Sequence, residues 1–456
     1  MDGSSAKVPD LIRPAGRRFA GTDRRAPLRK ALQETGAYHD LQVAGRFFPI
    51  SCVSLEITQR CNLDCTLCYL SDAAEMAHDV PMPVLLDRIE MIHSHFGPGT
   101  SIQISGGDPT LRAVPDLVAL CRTIRAKGMR SCLMTNGIRA TRPMLTELAE
   151  AGLDDVAFHV DLTQERKCYA TEAALNAVRA AYIDRARGLG LRILFNTTVY
   201  EGNLSEIPAI ARFFRDRAED LTLISFQLQA DTGRGVLRAR DDEVTQASVM
   251  RGLSSGIGAE IDFDGIGIGP SECNRYGAVA IAGGHAVSLL NNPALAAGIV
   301  QALETAEHKT DGHLDIARTV WRVAMQRPWL ALRGVGHILR RLWQIRSGIV
   351  KARGRISRLS VLVHNFMDGD ALDLDRCRGC VFMVATADGP LSMCVHNARR
   401  DQHLFAPARH GSGWWSAATG ETTDTPQHLS PGDTPRKLLK GRLRAAARSA
   451  TKPTDV

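Results

Sequence analysis

From Val53 onward the chain alternates short apolar runs with longer amphipathic stretches. The apolar or β-branched runs cover residues 53–57, 101–104, 131–134, 155–160, 193–199 and 222–226. Helical spacing fills the intervals, at 82–95, 114–127, 142–151, 172–189 and 204–217. Strands alternating with helices of this length predict βα units, and βα units predict a parallel sheet. Six units are too few for a complete eight-stranded barrel, so the expectation is an α/β fold built on a partial (β/α)6 barrel. Chemistry is then expected on the loops at the C-terminal ends of the strands. After Gln229 the rhythm breaks. Gly233 and Gly235 interrupt it, a short helix is expected over 241–253, and 256–270 reads as a loop. Gly265, Gly267 and Gly269 do not make a dinucleotide turn, because Pro270 and Ser271 stand where the phosphate-binding helix would begin.

This rhythm divides the chain into an N-terminal extension (1–50), the barrel (51–235), a further region (236–410) with a helical insert at about 291–360, and a tail (411–456). The tail is polar and proline-bearing, and disorder is expected there. Composition is ordinary for a globular protein, 44% hydrophobic and 23% charged. The longest weakly polar run, 278–290, is interrupted by Gly283, Gly284 and His285 and falls short of the roughly 20 residues of a spanning helix. Residues 1–25 lack the apolar core of a signal peptide, so a cytoplasmic location is expected. The 11 cysteines are then reduced, and their odd number argues against a disulfide framework. Cys52, Cys121, Cys132 and Cys168 lie within apolar or helical patterns and read as packing residues.

Charge changes the picture at one place. The net charge is +7, yet residues 316–358 alone hold 10 Arg and 1 Lys with no Asp or Glu. Such asymmetry points to an anionic partner, a membrane surface or a nucleic acid. A helix is expected from 329 to about 353, after Pro328. At about 100° per residue, Arg333, His337, Arg340, Gln344 and Lys351 fall within roughly 60° of one another. Leu332, Val335, Ile338, Leu339, Leu342, Ile345, Ile349 and Val350 take the other side, with Trp343 at the edge. Such a helix suits peripheral binding to an anionic membrane, or packing of its apolar side on its own domain. Aromatics make up only 5% of the chain and form no stacking platform, so no stable nucleic-acid partner is expected.

The remaining cysteines carry the chemistry. Cys61, Cys65 and Cys68 follow the first strand as C-x3-C-x2-C. Three thiolates on one loop can ligate three irons of a cubane. An open fourth position is the layout of a catalytic metal site, whereas a zinc knuckle would be structural. Cys-Asn-Leu-Asp-Cys-Thr-Leu-Cys after Leu-Glu-Ile-Thr resembles the radical SAM superfamily signature. The resemblance implies a 4Fe–4S cluster on these thiolates and S-adenosylmethionine (SAM) on its open iron. It also implies a 5′-deoxyadenosyl radical that abstracts a substrate hydrogen, and a reduced donor such as flavodoxin or ferredoxin. Leu67 stands at a position that is often aromatic, and Tyr69 follows just beyond, where a cofactor contact is expected. Ser-Gly-Gly-Asp-Pro-Thr at 105–110 is similar to the family's Gly-Gly-Glu motif, which holds the SAM amino group. Gly106 and Gly107 allow close backbone approach. Asp108 replaces the usual Glu and is shorter, which favours a contact through backbone carbonyls. Asn136, Asp161 and Asn196, at further strand ends, match groups that contact the methionyl and ribose parts of SAM; Asn136 and Asn196 serve equally well as turn caps.

A second set, Cys377-x2-Cys380-x13-Cys394 with Cys273 as fourth ligand, reads as an auxiliary 4Fe–4S cluster or a structural zinc site. Around it, His-Asn-Phe-Met-Asp at 364–368, Leu374-Asp375, Cys380-Val381-Phe382 and Asp388-Gly389-Pro390 resemble the C-terminal region of the tetraether lipid synthase group. That resemblance implies C–H activation on a lipid, with C–C bond formation at unactivated carbons. Archaeal members carry a cysteine-rich module before the barrel, whereas here the first cysteine is Cys52. The competing expectations are a peptide- or pterin-modifying enzyme, a nucleic-acid-modifying enzyme, and a non-enzymatic iron–sulfur scaffold.

Overall fold

One sheet carries the fold, because its strands are apolar on one face and polar on the other. A computed structural model describes residues 14–429 except 17, 236–238 and 306–312. Strands β1 (Cys52–Thr58), β2 (Ser101–Gly106), β3 (Arg130–Thr135), β4 (Asp155–His159), β5 (Arg192–Val199) and β6 (Leu221–Leu228) are consecutive parallel neighbours. Val53, Leu55, Ile57, Ile102, Ile104, Leu133, Val156, Phe158, Ile193, Phe195, Ile224 and Phe226 belong to one buried cluster. The covering helices contribute to the same cluster, through Leu85 and Ile89 of Met82–Phe96, Leu117 and Leu120 of Val114–Ala126, and Ile210 and Phe214 of Ile207–Asp216. The alternate positions are polar: Ser54, Glu56 and Thr58 on β1, Ser105 on β2, His159 on β4, Asn196 and Thr198 on β5. The hydroxyls of Ser54 and Ser105 meet at 2.5 Å, which places both on the inner face. A strand residue points opposite to its neighbours, so this alternation sends the apolar set to the helices and the polar set to the inside of the curve.

The region after the six units does not stand apart. It supplies β7 (Asn274–Ala282), β8 (His285–Ser288), β9 (Ser357–Asn365), β10 (Phe382–Ala385) and β11 (Pro390–Ser392). The order across the sheet is β11-β10-β1-β2-β3-β4-β5-β6-β9-β7-β8. β9 runs parallel to β6, and β10 runs parallel to β1. The expected six-stranded partial barrel is therefore present, extended by one parallel strand at each side. β11, β7 and β8 add antiparallel edges. No glycine-loop helix follows Gly269; Pro270 leads into β7.

Four expectations need correction. The tail from Gly411 is not disordered throughout: Ala408–His410, Gly413–Trp415 and Thr422–Thr423 form a small antiparallel sheet that buries Trp415. Aromatic packing, invisible to a composition reading, overrides the polar content there; residues 430–456 lie outside the described residues. The single helix expected from 329 is two, Pro328–Gln344 and Arg346–Lys351, separated at Ile345 with φ −108° and ψ 19°. The helix expected at 241–253 occupies Gln246–Ile257, started by the Thr245 side chain accepting from the Ser248 amide at 3.1 Å. Cys52, Cys121 and Cys132 are buried as expected, but Cys168 is exposed at φ +70°, in a turn rather than a packed helix. In the N-terminal extension, helix Ala26–Glu34 packs Leu28 and Leu32 against Val381.

The loop after β4 is pinned by a buried ion pair. Arg179 and Glu172, both within helix Glu172–Ala186, are fully buried and bonded to each other. Arg179 also donates to the Val160 carbonyl at 2.8 Å, and Glu172 accepts from the Leu162 amide at 3.0 Å and from Asn203 Nδ2 at 2.8 Å. Removing one partner would leave a buried charge uncompensated. Arg179→Met is accordingly expected to cost about 3–5 kcal/mol of folding stability. Adding Glu172→Gln to it should recover part of that loss, as read by chemical denaturation of the single and double variants.

Candidate catalytic site

The polar loops at the C-terminal ends of β1 to β6 converge on the segment that carries the first cysteine set. Cys61, Cys65 and Cys68 follow β1 directly, and the thiols of Cys61 and Cys65 are shielded enough that burial pushes both upward, Cys61 to about 11. Charge on Cys68 opposes ionisation of both, and charge on Cys61 opposes that of Cys65, so the set is within electrostatic reach of itself. Among the described residues, no three His, Cys, Asp or Glu side chains are posed to hold a metal ion as they stand. The donor set nevertheless fits an iron–sulfur group: three thiols on one loop, costly to ionise unless positive charge is supplied.

Part of that charge comes from a residue the sequence reading missed. Arg234 is 2% exposed and lies between Glu75, at 2.9 Å, and Cys68. Burial works against its charge, but Cys68 and Glu75 outweigh this and hold the guanidinium firmly protonated. Among the described residues its Nε and Nη2 have no hydrogen-bond partner, which fits an anionic group beside Cys68. The flanking glycines make the approach possible: a Cβ on Gly233 would lie 2.4 Å from the Tyr69 carbonyl, and Gly235 donates to the Cys68 carbonyl at 3.2 Å. The Gly-Arg-Gly run at 233–235, shortly after β6, is the sequence signal for this arginine.

Gly106 and Gly107 are required by the packing of the chain itself. Cβ atoms there would stand 2.0 Å from the Thr58 carbonyl oxygen and 2.1 Å from that of Arg60. The crowding comes from the chain leading into Cys61, to which the Gly107 and Asp108 amides donate at 2.8 Å each. Tyr69 closes the same corner, its hydroxyl donating to the Gly106 carbonyl at 2.5 Å.

Asp108 and Asp161 reach the strand ends, yet their carboxylates turn inward. Asp108 is fully buried and accepts from the Thr110 amide at 2.9 Å, the Thr135 hydroxyl at 3.0 Å and the Asn136 amide at 2.9 Å. Asp161 is also fully buried, accepting from the Thr163 amide at 3.0 Å, the Thr198 amide at 2.7 Å and His159 Nε2 at 2.7 Å. Burial would raise the Asp161 pKa, but His159 and these donors pull it down to about 2. Each Asp begins a 3-10 turn as Asp-x-Thr and fastens its strand end to the next, β2 to β3 and β4 to β5. These two side chains shape the site by holding neighbouring strand ends together. Asn136 caps its turn by accepting from the Ile138 amide at 3.0 Å, and its Nδ2 lies 2.6 Å from Asn62 Oδ1 and 4.0 Å from Cys61 Sγ. Arg166 donates to the Asn136 carbonyl at 2.6 Å and Arg185 to that of Gly137 at 2.8 Å. Asn196 sits opposite His159 in the sheet register. A cavity of about 890 Å³ opens beside Cys61 and Asn62, walled by Gln164, Arg166, Tyr182 and Arg185.

The second set gathers where β10 and β11 join the sheet. Cys377, Cys380 and Cys394 are buried, and Cys394 is influenced by the charges of Cys380, Cys273 and Cys377 in turn. Burial pushes Cys377 up to about 12 and Cys273 to about 11. Arg376 Nε donates to Cys273 Sγ at 3.2 Å. The two sets are joined by Arg400, six residues beyond Cys394. Its Nη1 lies 2.8 Å from both carboxylate oxygens of Glu56 on β1, and its guanidinium covers the Tyr69 ring at 4.7 Å.

With this geometry in place, residues 55–214 match the family described as the Radical SAM superfamily. The chain carries a radical SAM domain. Its relatives include the Fe-coproporphyrin III synthase of Methanosarcina barkeri, 30% identical over 193 residues, or 41% of this chain and 46% of that protein. The 7,8-dihydro-6-hydroxymethylpterin dimethyltransferase of Methanocaldococcus jannaschii is 28% identical over 189 residues, covering 40% and 37%. The PqqA peptide cyclase of Methylobacterium nodulans is 30% identical over 162 residues, covering 34% and 41%. The chain thus spans less than half the length of each of these relatives. The domain match ends before β6, so Arg234, the second cysteine set and the insert all lie beyond it.

The Glu56–Arg400 pair gives the radical SAM domain a measurable acid response. Burial raises the Glu56 pKa, but Arg400, His396 and Gln59 together bring it from 4.5 to about 2. A depressed pKa adds stability that is complete above the unfolded value and lost as pH falls through the folded one. Glu56→Gln should therefore destabilise the protein at neutral pH, and its deficit against wild type should shrink as pH falls from about 4.5 toward 2. Urea midpoints measured across that window test this; a constant deficit would mean that Glu56 is not ionised against Arg400.

Proposed function

We propose that this chain is a radical SAM enzyme that activates a C–H bond of a hydrophobic substrate. The carrying observation is the Cys61, Cys65 and Cys68 loop at the C-terminal end of β1, inside the matched domain and beside the buried Arg234. Cys61, Cys65 and Cys68 would hold a 4Fe–4S cluster, which would supply the electron for reductive cleavage of SAM. The chain's own residues prepare the place. Arg234 offers its Nε and Nη2, without partners among the described residues, to negative charge beside Cys68. The Gly106 and Gly107 backbone presses the β2 end against the cysteine loop, while Asn136, Asp161 and Asn196 border the inner face where SAM would lie. Tyr69 shields one side of the loop.

For the substrate, the resemblance of 364–394 to the tetraether lipid synthase group supports a lipid chain, joined or modified at unactivated carbon. A second reading, a peptide- or pterin-modifying enzyme, is favoured by the relatives, among them a pterin dimethyltransferase and a peptide cyclase. Under either reading Cys273, Cys377, Cys380 and Cys394 hold a second 4Fe–4S cluster, and a reduced flavodoxin or ferredoxin is the donor class.

Anaerobically reconstituted protein given a strong reductant and SAM should release 5′-deoxyadenosine. Replacing Cys61, Cys65 and Cys68 together by Ala should abolish release, and undiminished cleavage would remove the assignment. The wild type should carry about eight irons per chain, four for each cubane. The triple variant should keep about half, and so should a Cys377→Ala, Cys380→Ala, Cys394→Ala variant. Stoichiometric zinc at the second set would instead make that site structural.

A further inference from the structure

The insert presents an apolar face to solvent. Helix Pro328–Gln344 buries none of its side chains fully, and Trp329 and Trp343 are 78% and 68% exposed. At about 100° per residue, Val335, Leu339, Leu332, Trp343 and Trp329 form one continuous outward stripe roughly 120° wide. All five are exposed. Arg333 and Arg340, also exposed, border the stripe on one side. The preceding helix, His313–Gln326, adds exposed Val320, Trp321 and Met325. The side turned to the protein is mixed: His337 meets the Leu289 carbonyl at 3.2 Å and Arg341 donates to that of Ser288 at 2.8 Å, beside Leu342, which packs on the cluster around Ile345. Gly298 on helix Pro293–Thr305 gives room for Leu330 beneath it. The apolar stripe is thus not the packing face of a surface helix.

Contiguous exposed apolar surface of this kind marks an interaction site. Its charge selects the occupant. Residues 316–358 contain 11 cations and no acid. A second copy would bring these cations against one another. The chain's own segment 430–456, with 7 Lys and Arg against 2 Asp, would be repelled for the same reason. Tryptophan and leucine in a stripe edged by arginine satisfy both layers of a lipid surface at once, the rings at the head-group boundary and the guanidiniums on phosphate. Among the described residues no helix is long and apolar enough to cross a membrane, so binding of this kind lies along the surface.

We propose that helices His313–Gln326 and Pro328–Gln344 dock the protein on an anionic phospholipid bilayer. This docking does not depend on the lipid-substrate reading, since it concerns a face outside the radical SAM domain. Purified full-length, reconstituted protein should co-sediment with vesicles of phosphatidylcholine and phosphatidylglycerol, with a blue shift of tryptophan emission. Binding to pure phosphatidylcholine vesicles should be weak. Raising salt from 0.1 to 1 M shortens the Debye length from about 10 Å to about 3 Å and should release most of the protein. Arg333→Glu with Arg340→Glu should lower partitioning roughly thirtyfold or more, from the contribution of each basic residue at an anionic surface. Trp329→Ala, Leu339→Ala and Trp343→Ala together should abolish the emission shift. Both variants should keep the iron content and SAM cleavage of wild type, which separates loss of docking from loss of the catalytic reading. Equal partitioning of wild type and both variants would overturn the proposal. So would a wild-type dimer that the apolar variant makes monomeric, or binding of RNA in place of vesicles.

Discussion

The parallel strands with unlike faces are the constraint on which the rest depends. Apolar side chains at every second position commit one face to the helices, and the β1 run Val53, Leu55, Ile57 could not slip by one residue without burying Ser54 and Glu56 under them. Because the strands are also parallel, their C-terminal ends lie on one rim, and every loop leaving that rim brings polar groups to the same place. The cysteine loop is one of these. Gly106 and Gly107 let the β2 loop close upon it, and Asp108 and Asp161 use buried carboxylates to tie neighbouring strand ends together. Carboxylates that each satisfy several donors inside the protein give rigidity rather than ligand contact.

The later part of the chain reads differently once its strands are placed. β10 pairs with β1 from Cys52 opposite Phe382 to Ser54 opposite Val384, so the second cysteine set is delivered to the same strand that launches the first. Arg400 then crosses the inner face to Glu56. Its bonds to Glu56 and its cover over Tyr69 make the packing of the two cysteine regions one cooperative unit. Loss of that pair would loosen both.

Much of this was legible in the residues. The six βα units declared themselves because period-2 runs and helical runs of the right length alternate, and each expected strand is present. The cysteine loop was legible because three cysteines crowd one short segment after a strand. β9 and β10 were not assigned as barrel strands, since their partners are β6 and β1, distant in sequence, and no local pattern encodes such pairing. Arg234 and Arg400 escaped for a related reason: an isolated arginine reads as surface until tertiary structure buries it. The aspartates were found at their strand ends, but the inward turn of their carboxylates was not legible, because Asp-x-Thr after a strand specifies a turn as readily as a ligand. In the insert the amphipathic period was correctly seen, but hydropathy alone cannot tell which side of a helix faces inward.

The two cysteine sets share one electrostatic solution. Burial raises the thiols of Cys61 and Cys65 in the first and of Cys273, Cys377 and Cys394 in the second, so several adjacent thiolates could not persist without positive charge. Each set has one arginine against one of its sulfurs, Arg234 at Cys68 and Arg376 at Cys273. Arginine suits this place because it stays charged when desolvated, where lysine would tend to lose its proton. A single guanidinium cannot balance three or four thiolates, so a metal group held there would supply the remaining positive charge and displace the protons that burial favours. Affinity for such a group would be coupled to pH and to the folding of the loops that bury these thiols. Arg234 reaches Cys68 from beyond β6, and Arg376 reaches Cys273 from beyond β9, so each set is electrostatically complete only when the whole sheet has formed.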